Sequence, residues 1–94
     1  MKTLDRDPVF RMGEVAVTPG AADELTFDEI LVGLIRHLQG DWGRLCAADC
    51  AANEQALLNG HRVMSEFVSG DGRKYWVITE HDRSVTTILL PSEY

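Results

Sequence analysis

The feature that most constrains this chain is its last third, where "HRVMSEFV", "RKYWVITE" and "VTTILLP" are separated by "SGDG" and "HDRS". Segments of this length, rich in β-branched and aromatic residues and bounded by Gly, Asp and Ser turns, predict a three-stranded antiparallel meander. A meander exposes one apolar face, so the remaining chain must supply a layer to cover it.

That layer is legible upstream. In "TFDEILVGLIRHLQG", Thr26 and Glu29 form a T-x-x-E capping box, and Asp28 and Glu29 complement the positive end of a helix. Phe27, Ile30, Leu31, Leu34, Ile35 and Leu38 recur at helical spacing, Arg36 falls on the other side, and Gly40 is placed to stop the helix. A second helix is predicted through "AADCAANEQALLNG", with Asp49 as a cap near its start and Asn59-Gly60 as its stop. Cys46, Cys50, Asn53 and Leu57 share one face of it, so Asn53 needs hydrogen-bond partners, most simply from the "DWGRL" connector. "VFRMGEVAV" predicts a first strand with Val15 and Val17 on one face, bent at Gly13 and ending at Thr18, which then caps a brief helix opened by Pro19. The expectation is a single α+β domain over residues 1–94, with residues 1–8 as a flexible tail. Its sheet would be antiparallel, the N-terminal strand joining the meander, with two helices packed on one face.

A chain of 94 residues builds one core and has no room for separate cofactor and substrate domains. "MKTLDRDPVF" lacks the apolar run of a secretory signal and no stretch is long enough to span a membrane, so a cytoplasmic protein without membrane contact is expected. Two cysteines make no disulfide framework, in keeping with a reducing compartment. Fifteen acidic residues against nine basic ones give a net charge of -6, which disfavours direct binding to nucleic acid. The imbalance lies in residues 1–54, with ten acids against five bases.

Candidate sites divide into chemistry and recognition. Cys46 and Cys50 with His37 or His61 would offer metal ligands, but the spacing is not that of a C-x-x-C knuckle and the neighbours are small and apolar. No metal and no cofactor is expected. His37 as general base, with Glu80, Arg83 and Thr87, would parallel the acid, base and phosphate clamp of a small ribonuclease or toxin-like enzyme; this rests on architecture alone, and the net charge opposes it. For recognition, Asp23, Glu24, Asp28 and Glu29 cluster around a helix start and would form a negative patch fitted to a basic groove. Trp42 in "GDWG" is either an aromatic anchor for a partner or, as preferred, a core residue closing a turn in which Asp41 bonds backbone amides. In "TEHDRSVTT", Asp82 and Ser84 form a turn, Glu80 pairs with Arg83, and Thr79, Thr86 and Thr87 bond across strands, leaving a polar hairpin whose Glu80, Asp82 and Arg83 are available to a partner.

"TPGA", "RHLQGDWG", "ANEQAL" before "NGHRVMSEF", and "WVITEHDRSVTTILLPSEY" together resemble a family of short bacterial proteins carried on plasmids, prophages and integrated elements. The resemblance spans Phe10 to Tyr94. Some members bear a label as a type I restriction enzyme modification subunit, but this chain has neither the length nor the glycine-rich strand-turn-helix that a methyl donor requires. The resemblance implies mobile-element cargo. Small, acidic cargo without a catalytic signature suggests an inhibitor of host defence, anti-CRISPR or anti-restriction, acting as a monomer or homodimer on a protein complex that targets nucleic acid. A plasmid-maintenance scaffold or regulator is the remaining alternative.

Overall fold

A computed structural model describes residues 7–94. Of the tail expected over residues 1–8, residues 1–6 lie outside the described residues, and Asp7 and Pro8 are exposed.

The elements run β1 (Glu14–Val17), α1 (Pro19–Glu24), α2 (Phe27–Leu38), α3 (Ala47–Asn59), β2 (Val63–Val68), β3 (Lys74–Thr79) and β4 (Val85–Leu89), closed by a 3-10 turn at Pro91–Glu93. The class is α+β, as expected, and the C-terminal meander pairs β2 with β3 and β3 with β4 antiparallel. The first strand departs from expectation. It is confined to four residues and joins β4 in parallel, giving a mixed sheet of order β1-β4-β3-β2. Thr18 and Pro19 turn the chain straight into α1 at the end of the sheet where β4 also finishes, so β1 runs with β4 and not against it. Gly13, at φ 62, sets the entry: a Cβ there would lie 2.3 Å from the Ser84 carbonyl oxygen.

The caps are as the residues dictate. Thr18 Oγ1 accepts from Ala21 N at the start of α1, and Thr26 and Glu29 complete the reciprocal capping box of α2. Helix α3 differs: Cys46 is its N-cap without a side-chain bond, and Asp49 sits inside the first turn, where it faces the positive helix end. Gly60 at φ 72 stops it.

The sheet's inner face carries Phe67, Tyr75, Val77 and Ile88, and these pack with Ala21 and Leu25 of the α1 region and Ile30 and Leu34 of α2. A second cluster joins Trp42, Ala56 and Val63, flanked by Phe10, Leu45 and Leu57. Two glycines permit close approach. Gly33 lets the Tyr75 ring pass within 2.8 Å of where a Cβ would stand, and Gly43 seats the connector on β2. The apolar stripe of α2 is only partly buried, since Phe27 remains 75% and Leu31 41% exposed. Among the described residues, no helix is long and apolar enough to cross a membrane.

Candidate functional site

The four acids read from the sequence lie at the end of the molecule formed by α1, the start of α2 and the β2–β3 hairpin, and they are not equivalent. Glu24 pairs with Arg73 of that hairpin at 2.5 Å. Glu29 is held more firmly, with Oε1 accepting from Thr26 N at 2.9 Å and Oε2 from Gly70 N at 2.7 Å. These backbone donors, Thr26 first, hold its carboxyl below the usual range. Asp23 and Asp28 are exposed. Asp71, at the hairpin tip one residue beyond Gly70, brings a fifth carboxylate to this end, which residue spacing alone did not connect to the other four. Asp28 and Glu29 border an open groove of about 250 Å³ shared with Val32, Arg36 and Tyr75.

His37 is fully buried. Nδ1 lies 2.6 Å from Ser65 Oγ and Nε2 2.9 Å from Thr79 Oγ1, which is 2.7 Å from Thr86 Oγ1. Thr86 donates to the Met12 carbonyl, 2.7 Å away. A carbonyl only accepts, so that last bond orders the chain back to the ring: Thr79 donates to Thr86, and Nε2–H donates to Thr79. Nε2 therefore carries a proton, and the depressed pKa leaves the ring neutral, so that Nδ1 accepts from the Ser65 hydroxyl. Burial, reinforced by the Arg83 charge, lowers its pKa to about 3. Phe10 meets the ring edge-on at 5.2 Å and Trp42 at 5.8 Å, so aromatic walls close the space around it.

Of the residues proposed to act with His37, Arg83 lies near enough for its charge to be felt but is engaged elsewhere, and Thr87 lies on the other face of the sheet. Thr86 faces His37, so Thr87, the next residue on β4, points to the opposite face of the sheet, where its register partner is Ile78. Arg83 does not pair with the Glu80 carboxylate: Nη1 donates to the Glu80 backbone carbonyl and Nη2 to that of Ala56, while the guanidinium lies over Phe10. Its backbone occupies the left-handed region, φ 61, so the turn and not a substrate sets its direction. A fully buried imidazole with both nitrogens engaged, and with its candidate hydroxyl on the other face of the sheet, is not placed to take a proton from a bound substrate. Asp82 caps the turn by accepting from Ser84 N at 3.0 Å, and the Ser84 hydrogen bonds keep its carboxyl below the usual range.

Trp42 is buried, 5% exposed, and its indole donates to Glu54 at 2.8 Å. It is a core residue and offers no surface to a partner. Asp41 makes the expected turn by accepting from Gly43 N, and it also pairs with Arg36 at 2.8 Å. Cys46 is exposed, Cys50 half-buried with its thiol near the Leu45 carbonyl, and the described residues contain no group of three or more His, Cys, Asp or Glu able to hold a metal.

Two features escaped the sequence. Asn53 finds its partners on β2 and not in the connector: Nδ2 donates to the Met64 carbonyl and Oδ1 accepts from Met64 N. On the outer face of the sheet, Trp76 meets Tyr94 edge-on at 5.6 Å, and Arg62 lies over the Tyr94 ring and donates to its hydroxyl. No spacing rule links residues 62, 76 and 94, which come together only through the sheet and the closing 3-10 turn.

A scan against protein-family models and searches of curated proteins and of solved structures gave no match.

Proposed function

We infer that this protein acts by binding, through the acidic end built from α1, α2 and the β2–β3 hairpin, and that its partner is a protein complex of a host nucleic-acid-targeting defence system. The observation that carries this reading is the fixed geometry of that end. Glu24 and Glu29 are pinned to the hairpin by Arg73 and Gly70, so Asp23, Asp28 and Asp71 project from a rigid base. Carboxylates carried on a backbone fixed in this way suit a surface that grips phosphates, because less backbone ordering is left to binding. A net charge of -6 adds long-range attraction to such a surface. The link to defence systems, and to mobile elements, rests on the family resemblance of the sequence.

The test is an interference assay in hosts with active CRISPR or restriction systems, scoring phage plating and plasmid establishment with and without the protein. Asp23→Asn, Asp28→Asn and Asp71→Asn are combined in one variant, which spares the Glu29 cap. The wild type is expected to restore plating and to retain a defence complex in pull-downs that releases as salt rises, and the triple variant to do neither while staying folded, with a midpoint lowered only by the lost attraction of Asp28 to the α2 start. Wild-type protein that protects neither phage nor plasmid, or a triple variant as active as wild type, rejects the reading.

A further inference from the structure

The two edges of the sheet are treated differently. On β2, the residues whose backbone points outward are Met64, Glu66 and Val68; all four groups of the first two are satisfied, whereas Val68, the last residue of the strand and 36% exposed, has no such partner among the described residues. Asn53 takes both groups of Met64, Glu66 N donates to the Trp42 carbonyl, and Arg44 N donates to the Glu66 carbonyl. Helix α3 and the connector therefore cover the middle of this edge and leave only its last residue open, too little for a further strand.

Strand β1 is open. Glu14 N donates to Ser84 O and Thr18 N to Ile88 O, which fixes the parity of the strand: the even residues face β4, and the N–H and C=O of Val15 and Val17 point outward. Among the described residues nothing pairs with them. The side chains of Val15 and Val17 are 41% and 39% exposed, on the sheet face that carries the helices. Free backbone groups beside apolar side chains make this edge a template on which another strand can pair.

We propose that β1 is the interface of a homodimer, pairing antiparallel with β1 of a second copy about a two-fold axis through Ala16. In this register Val15 of each copy lies opposite Val17 of the other, and the outward groups of both residues exchange four backbone hydrogen bonds. The four valines then form one apolar row on the helix side, and the two four-stranded sheets become one. Glu14 falls opposite Thr18, so no like charges meet across the pair; a shift of the axis to Glu14 would set two carboxylates against each other. A lone peptide strand would gain the same few backbone bonds without the doubled valine row, so the geometry favours a second copy. Because β2 is covered over Met64 and Glu66, addition at β1 consumes the edge that can take a whole strand, and the assembly stops at two copies instead of growing into a filament.

The experiment is light scattering after size exclusion on the full chain, together with amide exchange. The wild type is expected at twice the chain mass of 10.5 kDa. Val15→Pro removes an outward N–H that β4 does not use, and Val17→Lys places charge in the valine row; both are expected as monomers with unchanged circular dichroism. In the wild type, exchange of the Val15 and Val17 amides should slow at least about tenfold as protein concentration rises from the micromolar to the millimolar range, a readout that needs no variant. A wild type that stays at 10.5 kDa at concentrations up to about 1 mM, or a dimer that persists in both variants with fast Val15 and Val17 exchange, overturns the proposal.

Discussion

His37 Nε2 donates to Thr79 Oγ1 across 2.9 Å, and this bond stands in the middle of a proton-ordered chain from Ser65 to the Met12 carbonyl. Its role is structural. It ties α2 to β2, β3 and β4 and, through Met12, fixes the segment that leads into β1. A charged imidazolium would need an acceptor at Nδ1, where the Ser65 hydroxyl now donates, and would face the Arg83 charge that already disfavours it.

Stability should therefore depend on pH through one buried residue. The folded pKa of His37, about 3, lies below its ordinary value of 6.5, so between these limits the unfolded chain holds a proton that the folded protein does not. The stabilisation is complete above pH 6.5 and is lost as pH falls toward 3, with a slope of about 1.4 kcal/mol per pH unit inside that window. The interval above pH 4.5 isolates it, because the lowered carboxyls of Glu29, Asp82 and Glu93 contribute only as pH falls below their ordinary range. Urea unfolding of wild type and His37→Gln at several pH values between 4.5 and 6.5 checks this: the wild type should show the slope and the variant should be flat and less stable at pH 7.

Asn53 is the second buried polar group whose loss should be felt. Asn53→Ala strips both Met64 backbone groups of their partners at the β2 edge, and roughly 2 to 4 kcal/mol of stability should go with them. Asn53→Asp keeps the acceptor for Met64 N but sets a carboxylate against the Met64 carbonyl, so it should be no better than alanine. Chemical denaturation of the two variants decides this, and an Asp variant as stable as wild type would contradict the assigned amide orientation.

What was legible in the sequence was whatever local chemistry decides. The Thr26 and Glu29 box, Pro19 after Thr18, the Asp82 turn and the three C-terminal strands follow from neighbours a few residues apart, and each stands where expected. What depends on distant pairing was not legible. The direction of β1 is set by β4, some seventy residues on. Nothing local distinguishes an apolar stripe buried along its whole width from one with Phe27 and Leu31 left outside. The candidate acid, base and hydroxyl were grouped by residue type, whereas strand parity sends Thr86 and Thr87 to opposite faces and the Arg83 backbone conformation turns its guanidinium toward carbonyls. Trp42 carried both readings in sequence, and its packing against Phe10 and His37 favours the core.

Gly43 should be the least replaceable glycine in the connector. It sits at φ 73, and a Cβ there would lie 2.0 Å from the Glu66 carbonyl oxygen and 2.7 Å from the Phe67 ring. Gly43→Ala combines backbone strain with a clash against β2, for an expected loss of at least about 3 kcal/mol. Gly60 provides the control, with a similar φ of 72 and nothing within 4 Å, so Gly60→Ala should cost only about 1 kcal/mol. Thermal unfolding of the pair separates the clash from the strain they share.

The acidic end separates residues that hold the fold from residues free to bind. Glu29 caps α2 through Thr26 N and holds the hairpin through Gly70 N, whereas Asp28, its neighbour, is exposed at the same helix start. Glu29→Ala should therefore lower the thermal midpoint and speed amide exchange at Gly70, because two backbone donors lose their acceptor together. Asp28→Ala should leave Gly70 exchange unchanged and lower the midpoint less, since only its attraction to the helix end is lost. The same contrast should appear with pH. The Glu29 carboxyl is held below its ordinary range, so its contribution is present above that range and lost as pH falls through the lowered value. Wild type should lose Gly70 protection on acidification, and Glu29→Gln, which retains an acceptor oxygen but no charge, should show intermediate protection with no such dependence. Equal Gly70 exchange in wild type and Glu29→Ala would mean that the hairpin is held by Arg73 and Glu24 alone.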